Sequence, residues 1–331
     1  LEQPKLPSAA LPQDFLSPAE IRISKLFGYT TIFQPQAGVS RMVKPIDMSM
    51  VENALAGFTI PPQPEVLIRI KQEIELEDPD INTIAALINM DVGIAGFTLK
   101  VVNSAYFGLR RKISSIEHAC KFLGLNRVIK LVSSVVLRFT LSDGRSDPFT
   151  LKLWNSAMNV GSAAMLIAQQ LRLGSDCADD CYTLGLFHNA GMSLIHAQFP
   201  DYAKVLKVGL SQQLPFVSIE QRYFHTGHDT LGYLIAQSWG LAPEIAQVIA
   251  YHHDPERVLL STDLYEKRLF AILKLAEHLT GEEAALFDVT LELEWQQYGE
   301  ALLDILELDE MQLPDIGDYL LQNGVENHFH R

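Results

Sequence analysis

The sequence predicts an all-α protein built from many helices arranged in two lobes. Three observations carry that prediction. Apolar residues recur at helical spacing behind clear start signals, as with Val66, Leu67, Ile70 and Ile74 after a proline-rich stretch. The Val- and Ile-rich run 125–141 lacks hairpin punctuation and has helical neighbours, so it too reads as helix. A polar, turn-rich segment, Ser142-Asp143-Gly144-Arg145-Ser146-Asp147-Pro148, then marks the internal boundary between the lobes.

The elements follow in order. Residues 1–44 are broken by Pro4, Pro7, Pro12, Pro18 and Pro35, and their one helix signal is the capping box Ser17-Pro18-Ala19-Glu20 leading into Ile21, Leu26 and Phe27. Pro61, Pro62 and Pro64 disfavour helix until Glu65. Asp80 can cap a helix carrying Ile84, Leu87 and Ile88, because its carboxylate accepts from free first-turn N–H groups. Asn103-Ser104 ends the next helix in a polar turn, and Ser114 or Ser115 caps another that stops at Gly124. Between them Arg110, Arg111 and Lys112 form the one tight basic cluster, a solvated loop or a small anion site. Asn103, Ser104, Arg110 and Arg111 are therefore the candidate binding loop.

The second lobe opens with a long helix over about 151–173, its apolar face carrying Trp154, Met158, Ala164 and Ile167. Thr226-Gly227-His228-Asp229 has capping-box spacing, which places His228 in the first turn of a helix running to Gly240. A further helix covers 264–279. Beyond Gly281 the chain is acidic among leucines and reads as amphipathic helices, with Leu302, Leu303 and Leu306 inward and the carboxylates on a solvated face or a docking surface for a basic partner.

Composition narrows the function. Forty acidic against 26 basic residues give a net charge of −14, which disfavours nucleic-acid binding, since phosphate contacts need clustered Lys and Arg. No apolar run reaches the ~20 residues of a membrane helix, so no membrane role is expected and a cytoplasmic location is. The cysteines, Cys120, Cys177 and Cys181, are too few for a disulfide framework and read as buried, reduced thiols.

One long combination of motifs is more specific than any of these features. It joins the proline-rich start, an Asp at the start of a helix, Asn103-Ser104-Ala105-Tyr106-Phe107-Gly108, and then Ile113-Ser114-Ser115-Ile116 with Ala119, Leu123 and Gly124. The combination resembles the HDOD domain, the HD-related output domain of bacterial signalling proteins, over residues 58 to about 254. The resemblance implies an HD-superfamily-like, two-lobe helical domain. It divides the chain into an N-terminal extension, 1–57, the domain itself, 58–260 (lobes 58–141 and 148–260), and an acidic helical segment, 261–331, packed on the second lobe.

The HD superfamily holds divalent metal on His and Asp side chains, and the resemblance allows those positions to be inspected. Ser156, after Leu153-Trp154, stands at the first ligand histidine, and a hydroxyl is a poor ligand for a transition metal. Leu186-Phe187-His188-Asn189-Ala190-Gly191 resembles the signature His-Asp segment, but Asn189 brings a neutral amide where a carboxylate belongs. His228 and the pair His252-His253 match further ligand positions, and Glu277 stands where an Asp is usual. The residual metal candidates are thus His188, His228, His252, His253 and Glu277.

Two functions follow from the resemblance. One is a signalling output or regulatory module that keeps the HD shape without catalysis and binds a protein partner or small ligand, with self-association open. The other is a metal-dependent phosphohydrolase using one divalent ion, Mn, Fe, Mg or Zn, on a phosphoester or nucleotide. Cyclic-dinucleotide hydrolysis of the HD-GYP type is disfavoured, because Asp254-Pro255-Glu256-Arg257 replaces the expected Gly-Tyr-Pro. A third reading takes the histidines as a buried polar network.

Overall fold

The computed structural model describes residues 57–103, 112–142, 144–290 and 292–328, and among them there is no strand. The capping box at Ser17 and the loop residues Ser104, Arg110 and Arg111 lie outside the described residues.

Five helices form the first lobe: α1 (Glu65–Ile74), α2 (Ile81–Asn89), α3 (Val92–Val102), α4 (Ile116–Leu123) and α5 (Leu125–Ser142). Their punctuation is largely local. Asp80 accepts from the N–H groups of Asn82 and Thr83, Asp91 from Ile94 and Ser115 from His118, as side chains that satisfy orphan first-turn donors should. Helix α2 turns Ile84, Leu87 and Ile88 into the core, each no more than 6% exposed, a burial worth roughly 1.5–3 kcal/mol per side chain. The run 125–141 is helical throughout.

The second lobe begins three residues earlier than the apolar pattern indicates. Asp147 caps α6 (Pro148–Gln170) by accepting from Phe149 and Thr150, and Pro148 occupies its first position, where a missing N–H costs nothing. The chain continues through α7 (Ser175–Phe187), α8 (Ala190–Gln198), α9 (Tyr202–Ser211), α10 (Phe216–Phe224), α11 (His228–Ser238), α12 (Pro243–Tyr251) and α13 (Pro255–Leu260). It ends with α14 (Leu264–Thr280), α15 (Glu282–Phe287), α16 (Leu293–Ile305), a 3-10 turn at Glu310–Gln312 and α17 (Leu313–Gln322).

Helices α6 and α7 make an extensive, close contact. Gly161 and Gly185 meet at the crossing, where a Cβ on Gly185 would stand 2.5 Å from the Gly161 Cα. Helix α14 lies against α6 and α7 and is almost wholly apolar on that side, so residues beyond 261 supply part of the core of this lobe. Cys177 and Cys181 are buried free thiols on α7. Polar ties join the lobes: Arg127 and Lys130 of α5 pair with Asp179 and Asp180 of α7, and the Lys71 ammonium donates to the Trp239 carbonyl at the end of α11.

No single helix among the described residues is long and apolar enough to cross a membrane. Asn103, from the candidate binding loop, uses its amide to hold the base of that loop: it donates to the Leu99 and Ile113 carbonyls and accepts from the Ile113 N–H.

Candidate metal centre

The candidate site is assembled from the starts and ends of helices that share no sequence neighbourhood. His228 is the first residue of α11, and its backbone N–H is buried and needs an acceptor. The capping box expected from Thr226 does not form, since the N-cap Gly227 has no side chain and the Thr226 hydroxyl is partnerless. Glu220 of α10 does that work instead. Its carboxylate accepts from the His228 backbone N–H at 2.9 Å and from the ring Nδ1 at 2.8 Å, and the Tyr202 hydroxyl donates to it as well. A local sequence rule misses this cap because the acceptor arrives from the preceding helix.

His252 and His253 follow the last turn of α12. The His252 Nδ1 donates to the Ile249 carbonyl at 2.7 Å, and the His253 Nδ1 meets the Glu294 carboxylate at 2.6 Å. With each Nδ1 committed to an acceptor, each ring presents its Nε2 inward. The Nε2 atoms converge: His228 to His252 is 3.1 Å and His228 to His253 is 3.2 Å. Zn–N bonds of 2.0–2.1 Å at tetrahedral angles require N···N edges of about 3.3 Å. The two edges formed by His228 are close to that value, so the three imidazoles could hold a single ion, with Glu220 and Glu294 orienting His228 and His253 and the Ile249 carbonyl orienting His252.

The same triangle also accommodates a proton. Burial pulls the His228 pKa down, but the Glu220 carboxylate outweighs it and raises it. Burial together with the neighbouring imidazoles holds His252 well below the usual range, and burial takes His253 down to about 4 against the pull of Glu294. The shifts thus favour the proton on His228 over the other two rings, and an ion bound by all three Nε2 atoms would compete with it.

His188 does not join them. It ends α7 with its Nδ1 donating to the Gly185 carbonyl, and its ring lies 5.5 Å from that of His252. Its Nε2 turns to Glu282 Oε2 at 3.1 Å, with Glu277 Oε1 at 3.7 Å. The other oxygen of Glu282 accepts from the Ser156 hydroxyl at 3.0 Å. Glu282 thereby joins His188 and Ser156. The Asn189 Oδ1 is buried and has no partner.

Lys274 completes the network. Its ammonium, 5% exposed, contacts Glu277 Oε2 at 2.9 Å and Glu294 Oε2 at 2.8 Å. Burial alone would lower its pKa, yet those two carboxylates raise it. The reading of the acidic tail as a solvated or docking face is corrected for Glu282 and Glu294, which turn inward and bind His188, Ser156, His253 and Lys274. Five candidate ligands are therefore divided: His228, His252 and His253 converge, while His188 and Glu277 belong to a second cluster with Glu282.

A cavity of about 40 Å³ opens beside both clusters, walled by Phe216, Phe287, Trp295 and Tyr298 and by several carboxylates, Glu283 among them. Burial and the adjacent Glu294 push Glu283 up to about 8.

The HDOD domain profile matches residues 60–255, well over half of the chain. The chain belongs to the HDOD domain family. Two solved structures share its all-α fold. One is an HDOD domain protein of unknown function from Geobacter sulfurreducens, 20% identical, with a TM-score of 0.58 over 81% of this chain and 97% of that one. The other is a protein of Shewanella amazonensis SB2B provisionally described as a phosphohydrolase, 18% identical, with a TM-score of 0.60 over 84% of this chain and 95% of that one. At such identities the likeness is one of fold. An uncharacterized protein of Treponema pallidum (strain Nichols) is 29% identical over 235 residues, 68% of this chain, and the chain spans 45% of the length of that relative.

Proposed function

We propose that this HDOD protein is a signal-transduction module that binds a ligand or partner and does not hydrolyse phosphoesters. The observation that carries the reading is the Glu282 carboxylate, which engages both His188 and Ser156, the residues that the resemblance sets at metal-ligand positions. Lys274, wedged between Glu277 and Glu294, meets with one ammonium the negative charge that a second cation would otherwise neutralise. A phosphoester approaching this side would face carboxylates with one lysine among them, an unfavourable setting for a dianion.

The converging imidazoles favour one retained ion with a structural or sensory role. Three nitrogen donors suit Zn²⁺ or Fe²⁺ better than Mg²⁺, which prefers oxygen and keeps its water. The deciding experiment pairs elemental analysis of protein purified without chelator with phosphomonoester and phosphodiester assays in added Mn²⁺. At most one ion per chain and no turnover support the reading. Two ions per chain, or turnover that disappears in His188→Ala, overturn it.

A further inference from the structure

We infer that the cavity beside the two clusters binds a primary alkylammonium group, which names the ligand class for the binding role proposed above and rests on that role. The first observation is a set of acceptors without donors. The Asn189 Oδ1, on a residue only 4% exposed, and the Glu277 Oε1 are both buried without a hydrogen-bond donor, the latter with only the His188 Nε2 near it at 3.7 Å, and both residues line this cavity. A buried acceptor left unpaired costs on the order of 1–3 kcal/mol, so two at one cavity mark a place where N–H donors belong. The carboxyl group of Glu283 lines the same cavity and makes no hydrogen bond or ion pair among the described residues, with Glu294 and Lys274 acting on it only through their charge.

The second observation is charge. Glu277, Glu282, Glu283, Glu292 and Glu294 all line the cavity, and Lys274 is the one lysine or arginine that does. His278 answers Glu292 at 2.7 Å and Lys274 answers Glu277 and Glu294 directly, whereas Lys274 acts on Glu283 without forming an ion pair with it. Acidic side chains thus outnumber basic ones around the cavity, which favours a positively charged ligand. The third observation is the wall. Phe216 stacks on His253 with centroids 4.8 Å apart, Trp295 stacks on His278 at 4.1 Å, and Phe287 and Tyr298 complete an apolar surround. Aromatic faces with carboxylates hold organic cations.

These features separate an ammonium from the other cations. A divalent ion on Glu277 would stand beside the Lys274 ammonium, which already holds Glu277 Oε2 at 2.9 Å, with twice the repulsion of a single charge. A quaternary ammonium has no N–H for Asn189 or Glu277. A cavity of about 40 Å³ takes the head group and the start of its stem, with the remainder of the ligand outside. A small diamine and a lysine side chain of a partner protein share this chemistry.

The test is calorimetric titration of the full chain in the presence of chelator. The probes are 1,5-diaminopentane, N-acetyl-lysine amide, pentyltrimethylammonium and inorganic phosphate. Saturable one-to-one binding of either amine is expected, about ten- to a hundredfold weaker for the quaternary probe and in Glu283→Gln and Asn189→Leu, the loss of one charged hydrogen bond. Tighter binding of the lysine amide assigns the source to a protein, and tighter binding of the diamine assigns it to a metabolite. Thermal melts show whether each variant folds; Glu283→Gln keeps its shape at a half-buried position and supplies the readout if Asn189→Leu does not fold. Absence of amine binding, equal binding of the quaternary probe, or affinity unchanged in Glu283→Gln overturns the inference. None of these results touches the non-catalytic reading, which falls only to metal-dependent phosphoester turnover.

Discussion

Replacing Lys274 with Met removes the single buried ammonium of the site and leaves its shape nearly intact. Lys274 is 5% exposed, and its loss strands the facing oxygens of Glu277 and Glu294. Breaking a buried ion pair from one side costs about 3–5 kcal/mol. The Glu277 and Glu294 side chains keep 17% and 29% of their surface exposed, so water reaches part of the pair and the lower end applies, about 3 kcal/mol. For a folded body of this size, with about 2 °C per kcal/mol, the melting temperature falls by about 6 °C. Scanning calorimetry of the wild type, Lys274→Met and the triple variant that adds Glu277→Gln and Glu294→Gln measures it. The triple variant recovers most of the loss, because neutral amides no longer leave charge unpaired. A fall below about 1 °C in the single variant would refute the argument, since a solvated lysine contributes little.

Other expected outcomes address the remaining parts of the site. If the imidazoles hold the one ion proposed for them, elemental analysis of His228→Ala shows its loss, and Glu220→Gln, which disturbs the partner of the ring, weakens metal affinity by about 10- to 100-fold in a competition titration. Gly191→Ala destabilises the fold and lowers metal content together, because its Cβ would stand 2.1 Å from the His228 carbonyl where α8 crosses α11; unfolding curves and metal analysis on one preparation check this. Acid titration reads Asp147. Partial burial raises its pKa, but hydrogen bonds from Thr150 and the contact with His196 outweigh it and hold the carboxyl at about 2. A carboxyl lowered on folding stabilises above its unfolded pKa and loses that contribution as pH falls, so Asp147→Asn removes a stability change between about pH 4 and pH 2 in acid denaturation curves.

Much of the framework is written locally. The caps at Asp80 and Ser115 and the stop at Gly124 are legible because a helix end is decided by residues three or four positions apart. The inward turn of Leu302, Leu303 and Leu306 follows from helical spacing alone. The histidines stand out by motif, and the glycine after His188-Asn189-Ala190 finds its reason in the close crossing of α8 and α11. Glu220, Glu282, Glu294 and Lys274 carry no such mark. Each is a charged residue on a helix, indistinguishable in sequence from one that faces water.

By itself, then, the chain determined its all-α class, several helices and caps of the first lobe, its family and the identity of the imidazoles, because those depend on near neighbours and short motifs. Tertiary structure alone decided that His188 parts from His228, His252 and His253, and that Glu282 reaches Ser156 across 126 positions of sequence. The physical reason is that burial of a charge is tolerated only beside a partner, and which partner arrives is set by how distant helices pack.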